Sequence, residues 1–208
     1  FSFILKTNIE RYYLYLFVAL IPWIFFSSSI TVGSASIVAQ KDLIKKIYFP
    51  RMVIPISYVT SSFVNMLLCF IVIFAVIIVS GAGINFLALL TLPVIMLVEY
   101  ILALGMAMLT SAITVYFRDL EHILGIVTMA WMYMTPIMYD KSIVPENLMP
   151  IFNLNPMTHV IECYRAVLYE KKIPDLTTLL SAAGLGILIL IVGILVFNKL
   201  QKRFAEEL

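Results

Sequence analysis

Glu99 is the one ionisable side chain deep inside an apolar stretch, set between PVIMLV and YILALG. A carboxyl in hydrocarbon costs several kcal/mol unless it faces a polar cavity or a partner, so it is a functional candidate by default. Two roles fit it: a proton-linked transport group, or a neutral carboxyl hydrogen-bonded to a neighbouring helix. A proton-coupled carrier generally shows several such groups, and this chain has one. The remaining reactive residues do not assemble into a site. His122 and His159 fall on opposite sides of the expected membrane, and Cys69 and Cys163 are far apart in unlike settings. Neither a metal centre nor a disulfide framework follows from them. The G-x-x-x-x-G-K-[ST] phosphate cradle is missing, as are G-x-S-x-G, H-E-x-x-H and C-x-x-C. The chain is therefore expected to catalyse nothing and to bind no cofactor of its own.

The elements that hold Glu99 are dictated by composition. Of the 208 residues 62% are hydrophobic and only 12% charged, against roughly 25% charged in soluble domains. Runs at about 13–39, 52–80, 86–116, 123–139 and 176–197 meet or approach the roughly 20 apolar residues that a helical crossing needs. The expected fold is all-α, one polytopic transmembrane domain over 1–208 with five full spans. Residues 1–5, FSFIL, read as the stub of an earlier span, having no basic region or cleavage site that would make a signal peptide. A net charge of +2 gives no reason to expect a nucleic-acid partner.

Lys and Arg in short connections favour the cytoplasmic side. Segment 40–51, QKDLIKKIYFPR, carries Lys41, Lys45, Lys46 and Arg51, the tail carries Lys199, Lys202 and Arg203, and Arg118 lies in the 117–122 connection; these are eight of the fourteen basic residues. All three are assigned to the inside, which places Gly81-Ala82-Gly83 and the stretch 140–175 outside. That stretch is broken by Pro145, Pro150, Pro156 and Pro174. Within it, Val160, Ile161, Tyr164, Val167 and Leu168 recur at helical spacing, with His159, Glu162 and Arg165 placed elsewhere. Two short helices, near 146–152 and 157–170, are expected to dip into the outer face without crossing. Span 86–116 would be about 46 Å long, more than a hydrocarbon core of about 30 Å, so it must tilt, kink or protrude.

Two residue sets stand out as interaction sites. In 40–51, Leu43, Ile44, Ile47 and Tyr48 fall on one side of a short helix, Lys41, Lys45 and Lys46 surround them, and Pro50 stops it. Such a helix either anchors to anionic lipid or docks a cytoplasmic subunit. The second set is aromatic: Trp23, Phe25, Phe26, Trp131 and Tyr133, with Tyr139 beyond them. These either form belts at headgroup depth or present stacking faces to a sugar chain.

The order of LFVALIPWIFFSSSITVGSASIVAQKDLIKKIYFPRMVIPIS, ITVYFRDLEHIL, TPIMYD and NPMTHVIECYRAVLY resembles the permease subunits of ABC type 2 exporters for lipid-linked polysaccharides: O-antigen, capsule and teichoic acid. The match covers nearly the whole chain. The resemblance implies a six-span permease, shortened here at its amino terminus, in the bacterial cytoplasmic membrane. It implies pairing with a second copy and with a separate ATP-hydrolysing subunit that carries the ATP and magnesium. By position it makes 40–51 the coupling helix, with Lys41, Leu43, Ile44, Lys45, Lys46, Ile47, Tyr48 and Arg51 as the contact, and makes 145–172 the re-entrant external helices. Trp23, Phe25, Phe26, Trp131 and Tyr133 become the candidate lining of a translocation path for the lipid-linked glycan. The alternatives are a type 2 exporter of drugs or small lipids, and a non-transporting scaffold that recruits a cytoplasmic protein.

Overall fold

The computed structural model describes residues 11–46, 49–81 and 83–208. Ten helices make up the described chain, joined by short turns: α1 Tyr12–Ala39, α2 Lys41–Lys46, α3 Val53–Val79, α4 Phe86–Leu89, α5 Leu92–Thr114, α6 Leu120–Tyr133, α7 Met149–Leu154, α8 Pro156–Leu168, α9 Leu176–Leu200 and α10 Phe204–Glu207. Two 3-10 turns, Lys141–Ile143 and Glu146–Leu148, precede α7 and one, Gln201–Arg203, precedes α10. α1 and α5 form the centre. Fourteen residues of α1 are buried, and a helix apolar all round belongs inside a bundle. α3 and α9 pack on the flanks and show broad apolar faces outward.

Close approach of the helices depends on small residues. A Cβ on Gly33 of α1 would sit 2.8 Å from the Ala107 Cβ of α5, and one on Gly105 of α5 would sit 2.6 Å from the Leu190 nitrogen of α9. Gly193 likewise lies directly on the Gly105 carbonyl. In lipid no hydrophobic force drives helices together, so this contact between backbones carries much of the association.

Both basic segments lie at one end of the bundle. Ile37, Ile44, Ile54, Met108, Ala112, Val115, Phe197 and Phe204 make one apolar cluster there, which joins α2 to the tail. Arg51 donates to the Gln201 carbonyl, and the Tyr116 hydroxyl donates to the Leu200 carbonyl at 3.0 Å. At the opposite end, Gly81 and Gly83 take positive φ of 62° and 76°, angles that cost other residues strain. Asn85 caps α4 and reaches the Lys171 carbonyl at 3.0 Å.

Among the described residues four helices are long and apolar enough to cross a bilayer: Tyr12–Ala39, Val53–Val79, Phe86–Thr114 and Leu176–Arg203. The third is interrupted at Leu90 and Thr91, with Pro93 in the opening turn of α5. Within the fourth expected span, 123–139, the α-helix stops early. Only Leu120–Tyr133 is α-helical there, 14 residues or about 21 Å, short of a hydrocarbon core of about 30 Å. Pro136 is the cause, because proline disfavours helical angles at Thr135 and cannot donate to the Met132 carbonyl. The segment still follows α1 end to end. Glu121, His122 and Gly125 share a depression with Thr31, Val32 and Ala35, while Met138 and Tyr139 meet Tyr12 and Tyr15.

Candidate functional site

At the basic end, α2 is six residues long and cannot stand alone. Ile44 is only 6% exposed and holds it in the apolar cluster, whereas Leu43 is 40% exposed. Adjacent residues on a helix point about 100° apart, so Leu43 and Ile44 do not share the outward face expected of them. Lys41, Asp42, Lys45 and Lys46 are exposed around Leu43, giving one apolar knob in a ring of charge. Arg51 is spent on the Gln201 carbonyl. Ile44 and Arg51 therefore each make a contact within this chain. Ile47 and Tyr48 lie outside the described residues.

The aromatic set divides. Trp23 and Phe26 of α1 pack on Trp131 of α6, with ring centroids 6.4 and 5.4 Å away, and Trp23 and Phe26 are 5.7 Å apart. Phe25 turns instead to Phe63 of α3, which continues to Tyr100 of α5. Trp23, Phe25 and Phe26 are buried within the single chain, and Tyr133 is 66% exposed. A lining formed by all five together is not what the structure presents. Three of them are an internal cluster joining α1 to α6.

Glu99 is completely buried. Its Oε2 accepts a 2.6 Å hydrogen bond from the Tyr164 hydroxyl of α8, and its Oε1 has no partner among the described residues. The expected neighbour of the carboxyl is therefore α8. Beside it, Arg165 is 7% exposed; it donates from Nη2 to the Ile137 carbonyl at 2.7 Å and lies 3.7 Å over the Tyr15 ring. Burial lowers its pKa from the ordinary arginine value, opposed by Tyr15, Asp140 and Glu162. Burial also pushes the Cys163 thiol up to about 12.

Arg165 belongs to a larger arrangement around the unwound end of α6. Backbone carbonyls left free in a membrane protein must find partners inside the protein. Tyr12 donates to Met138 at 2.8 Å, Tyr15 to Tyr139 at 3.1 Å and Tyr139 to Tyr133 at 2.8 Å. The Asn155 amide donates to Thr135 Oγ1 at 2.9 Å and to the Met134 carbonyl at 3.4 Å, while its carbonyl oxygen caps α8 at the Met157 nitrogen. Side chains from α1 and α8 thus replace the hydrogen bonds that a longer α6 would have made.

The family model described as ABC-2 type transporter matches residues 1–169. The chain belongs to that family. Among curated relatives, this ABC-2 chain is 30% identical over 210 residues to an O-antigen export system permease protein RfbA of Myxococcus xanthus. It is 33% and 32% identical, over 208 and 209 residues, to two proteins of the same name from Klebsiella pneumoniae. Each alignment covers all of this chain and 80% of the relative. With its apolar helices, the ABC-2 chain is a multi-pass membrane protein and a transport component.

Sequence reasoning about this ABC-2 chain missed Tyr12, Tyr15, Asn155 and Arg165 as one set around the end of α6, and Tyr164 as the partner of Glu99. A signal existed for Arg165. It follows Ile161 by four positions and precedes Leu168 by three, which puts it inside the apolar stripe of α8. A cation in that stripe must bring its own partners.

Proposed function

We propose that this chain is the membrane-spanning permease subunit of an ATP-driven exporter of a polysaccharide of the O-antigen class, working in the bacterial cytoplasmic membrane. The names of the relatives support the cargo class, and the family supports the ATP-driven mode. The observation that carries the mechanical reading is α2. It is fixed to α1, α3 and α5 through Ile44 and shows Leu43, Lys41, Lys45 and Lys46 outward. A rigid knob of this kind passes a push from a docked subunit directly to the bundle. ATP and magnesium belong to that separate subunit, since the chain carries no phosphate cradle.

A second copy completes the path. α6 turns Ile123, Ile126, Val127, Met129 and Tyr133 outward, and a two-fold pair is the commonest way to cover such a face. In a pair, Tyr133 stands near the seam and offers a stacking surface along which a sugar chain slides without being trapped. The test is co-purification with a co-expressed ABC ATPase from the same source, followed by ATP hydrolysis with and without lipid-linked glycan. Stimulated hydrolysis together with export is the expected result. A complex whose ATPase ignores glycan but responds to small lipids or drugs removes the polysaccharide reading, and failure to bind any ATPase returns the chain to a scaffold.

A further inference from the structure

Among the described helices α7 alone buries no residue. A six-residue segment with so little apolar contact opens easily unless something else holds it. The Phe152 ring meets Tyr139 with centroids 6.5 Å apart. The Asn153 carbonyl accepts a 2.8 Å hydrogen bond from the His159 imidazole, which holds α7 directly on α8.

A carbonyl only accepts, so His159 Nε2 carries the hydrogen of that bond. In a neutral ring Nδ1 is then a bare acceptor. It is buried, has no hydrogen-bond partner among the described residues, and lies 4.0 Å from Glu162 Oε2, another acceptor. The second Glu162 oxygen is held by Lys141 Nζ at 2.9 Å, which keeps the carboxylate in place. A neutral imidazole has one N–H for two acceptors and satisfies Glu162 only by releasing Asn153; an imidazolium has two and serves both. No other charged group is paired with this ring among the described residues. α7 carries none, Glu146 before α7 and Asp175 before α9 are exposed, and Asp140 and Arg165 act on Tyr15. The imidazole is 12% exposed and borders a depression of about 600 Å³ between α7 and α9, walled by Asn153, Thr177, Thr178 and Ser181. Water in that depression gives protons a route to the ring.

We propose that His159 is a proton-operated latch: its imidazolium joins the Asn153 carbonyl to the Glu162 carboxylate and fastens α7 to α8, and loss of the proton to water frees α7. Only an N–H bond is made or broken. Fastening is complete in mild acid and is lost as the pH rises, because the fastened state is the one that needs both N–H groups. The latch lies at the end of the bundle opposite the basic segments, hence on the outer side, and would make the hold on α7 follow the acidity there. It does not rest on the exporter reading.

The experiment is electron paramagnetic resonance of the full chain in phosphatidylcholine nanodiscs, with Cys69 and Cys163 replaced by alanine. One nitroxide is placed on α7 at position 151, where Ile151 is 51% exposed. From about pH 5 to about pH 8, the range in which imidazole side chains change charge, the ratio of mobile to fastened label should rise about tenfold, the effect of one charge-assisted hydrogen bond. His159→Phe should leave α7 mobile at both ends of the range. Glu162→Gln should fasten it at both, since an amide N–H donates to Nδ1 of the neutral ring. A contact with a structural role alone would loosen α7 in both variants. Thermal unfolding in the same nanodiscs shows whether each variant folds, and Glu162→Gln decides the matter if His159→Phe does not. A flat native response, a response that survives in His159→Phe, or a Glu162→Gln protein mobile at both pH values each overturns the proposal. None of these readouts uses an ATPase or transport.

Discussion

Tyr164 and Arg165 are neighbours in sequence that point to different elements, one to Glu99 on α5 and the other to the Ile137 carbonyl and the Tyr15 ring. Removing the Tyr164 hydroxyl leaves a fully buried carboxyl with no partner on either oxygen. Tyr164→Phe should therefore lower stability by about 1–3 kcal/mol, the penalty for an unsatisfied buried group. Glu99→Gln keeps an acceptor for the same hydroxyl, and hydrogen bonds between membrane helices average only about 0.6 kcal/mol, so its effect should be the smaller. Thermal unfolding of both variants in nanodiscs checks the order. Export lost in a stable Glu99→Gln protein would instead identify a proton-linked role. Cys163 is 1% exposed and its thiol is pushed up to about 12 by burial. Hardly any of it is thiolate at pH 8, so it should resist maleimide in the folded protein and react after denaturation.

Among the elements, α2 gives the sharpest contrast, because its two apolar neighbours have separate duties. Leu43→Asp should leave membrane insertion and stability intact and abolish association with the ATPase. Ile44→Asp should disrupt the cluster with Phe197 and Phe204 and lower stability whether or not an ATPase is present. Pull-down and unfolding measurements on the pair decide the matter, and equal behaviour of the two variants would remove the knob from α2. For the 145–172 region, cysteines at Asn147 and Glu170 should both react with an impermeant thiol reagent from the outer face; labelling from opposite faces would mean that α7 and α8 cross the membrane. The four long helices and a short helix in the basic segment were legible in the sequence, because long apolar runs and isolated basic segments are dictated by solvent alone. What could not be read was direction within a short helix. In six residues, period alone does not say whether Leu43 or Ile44 turns inward, since that depends on where Ile37 and Phe197 lie. The length of α6 was misread for a different reason: the apolar run continues through Pro136 to Tyr139, and hydropathy does not register a missing N–H.

Over the whole molecule, three glycines set how closely the helices come together. Gly105→Leu would drive a side chain into the α9 backbone at Leu190 and should separate α5 from α9, at a cost of about 1–3 kcal/mol or more. It should do so without touching α2 or the aromatic cluster, so limited proteolysis near the tail would report it first. The unwound end of α6 has a consequence for biogenesis. A chain made from its amino terminus exposes 134–139 to the membrane before Asn155 and Arg165 have been synthesised, and those two supply the donors for Met134 and Ile137. Until they arrive, only Tyr12 and Tyr15 are in place to receive this segment. Its insertion is consequently a late and conditional event, settled by residues some twenty to thirty positions further along. A nascent chain halted at 150 should leave 120–139 extractable, and one carried past 170 should not.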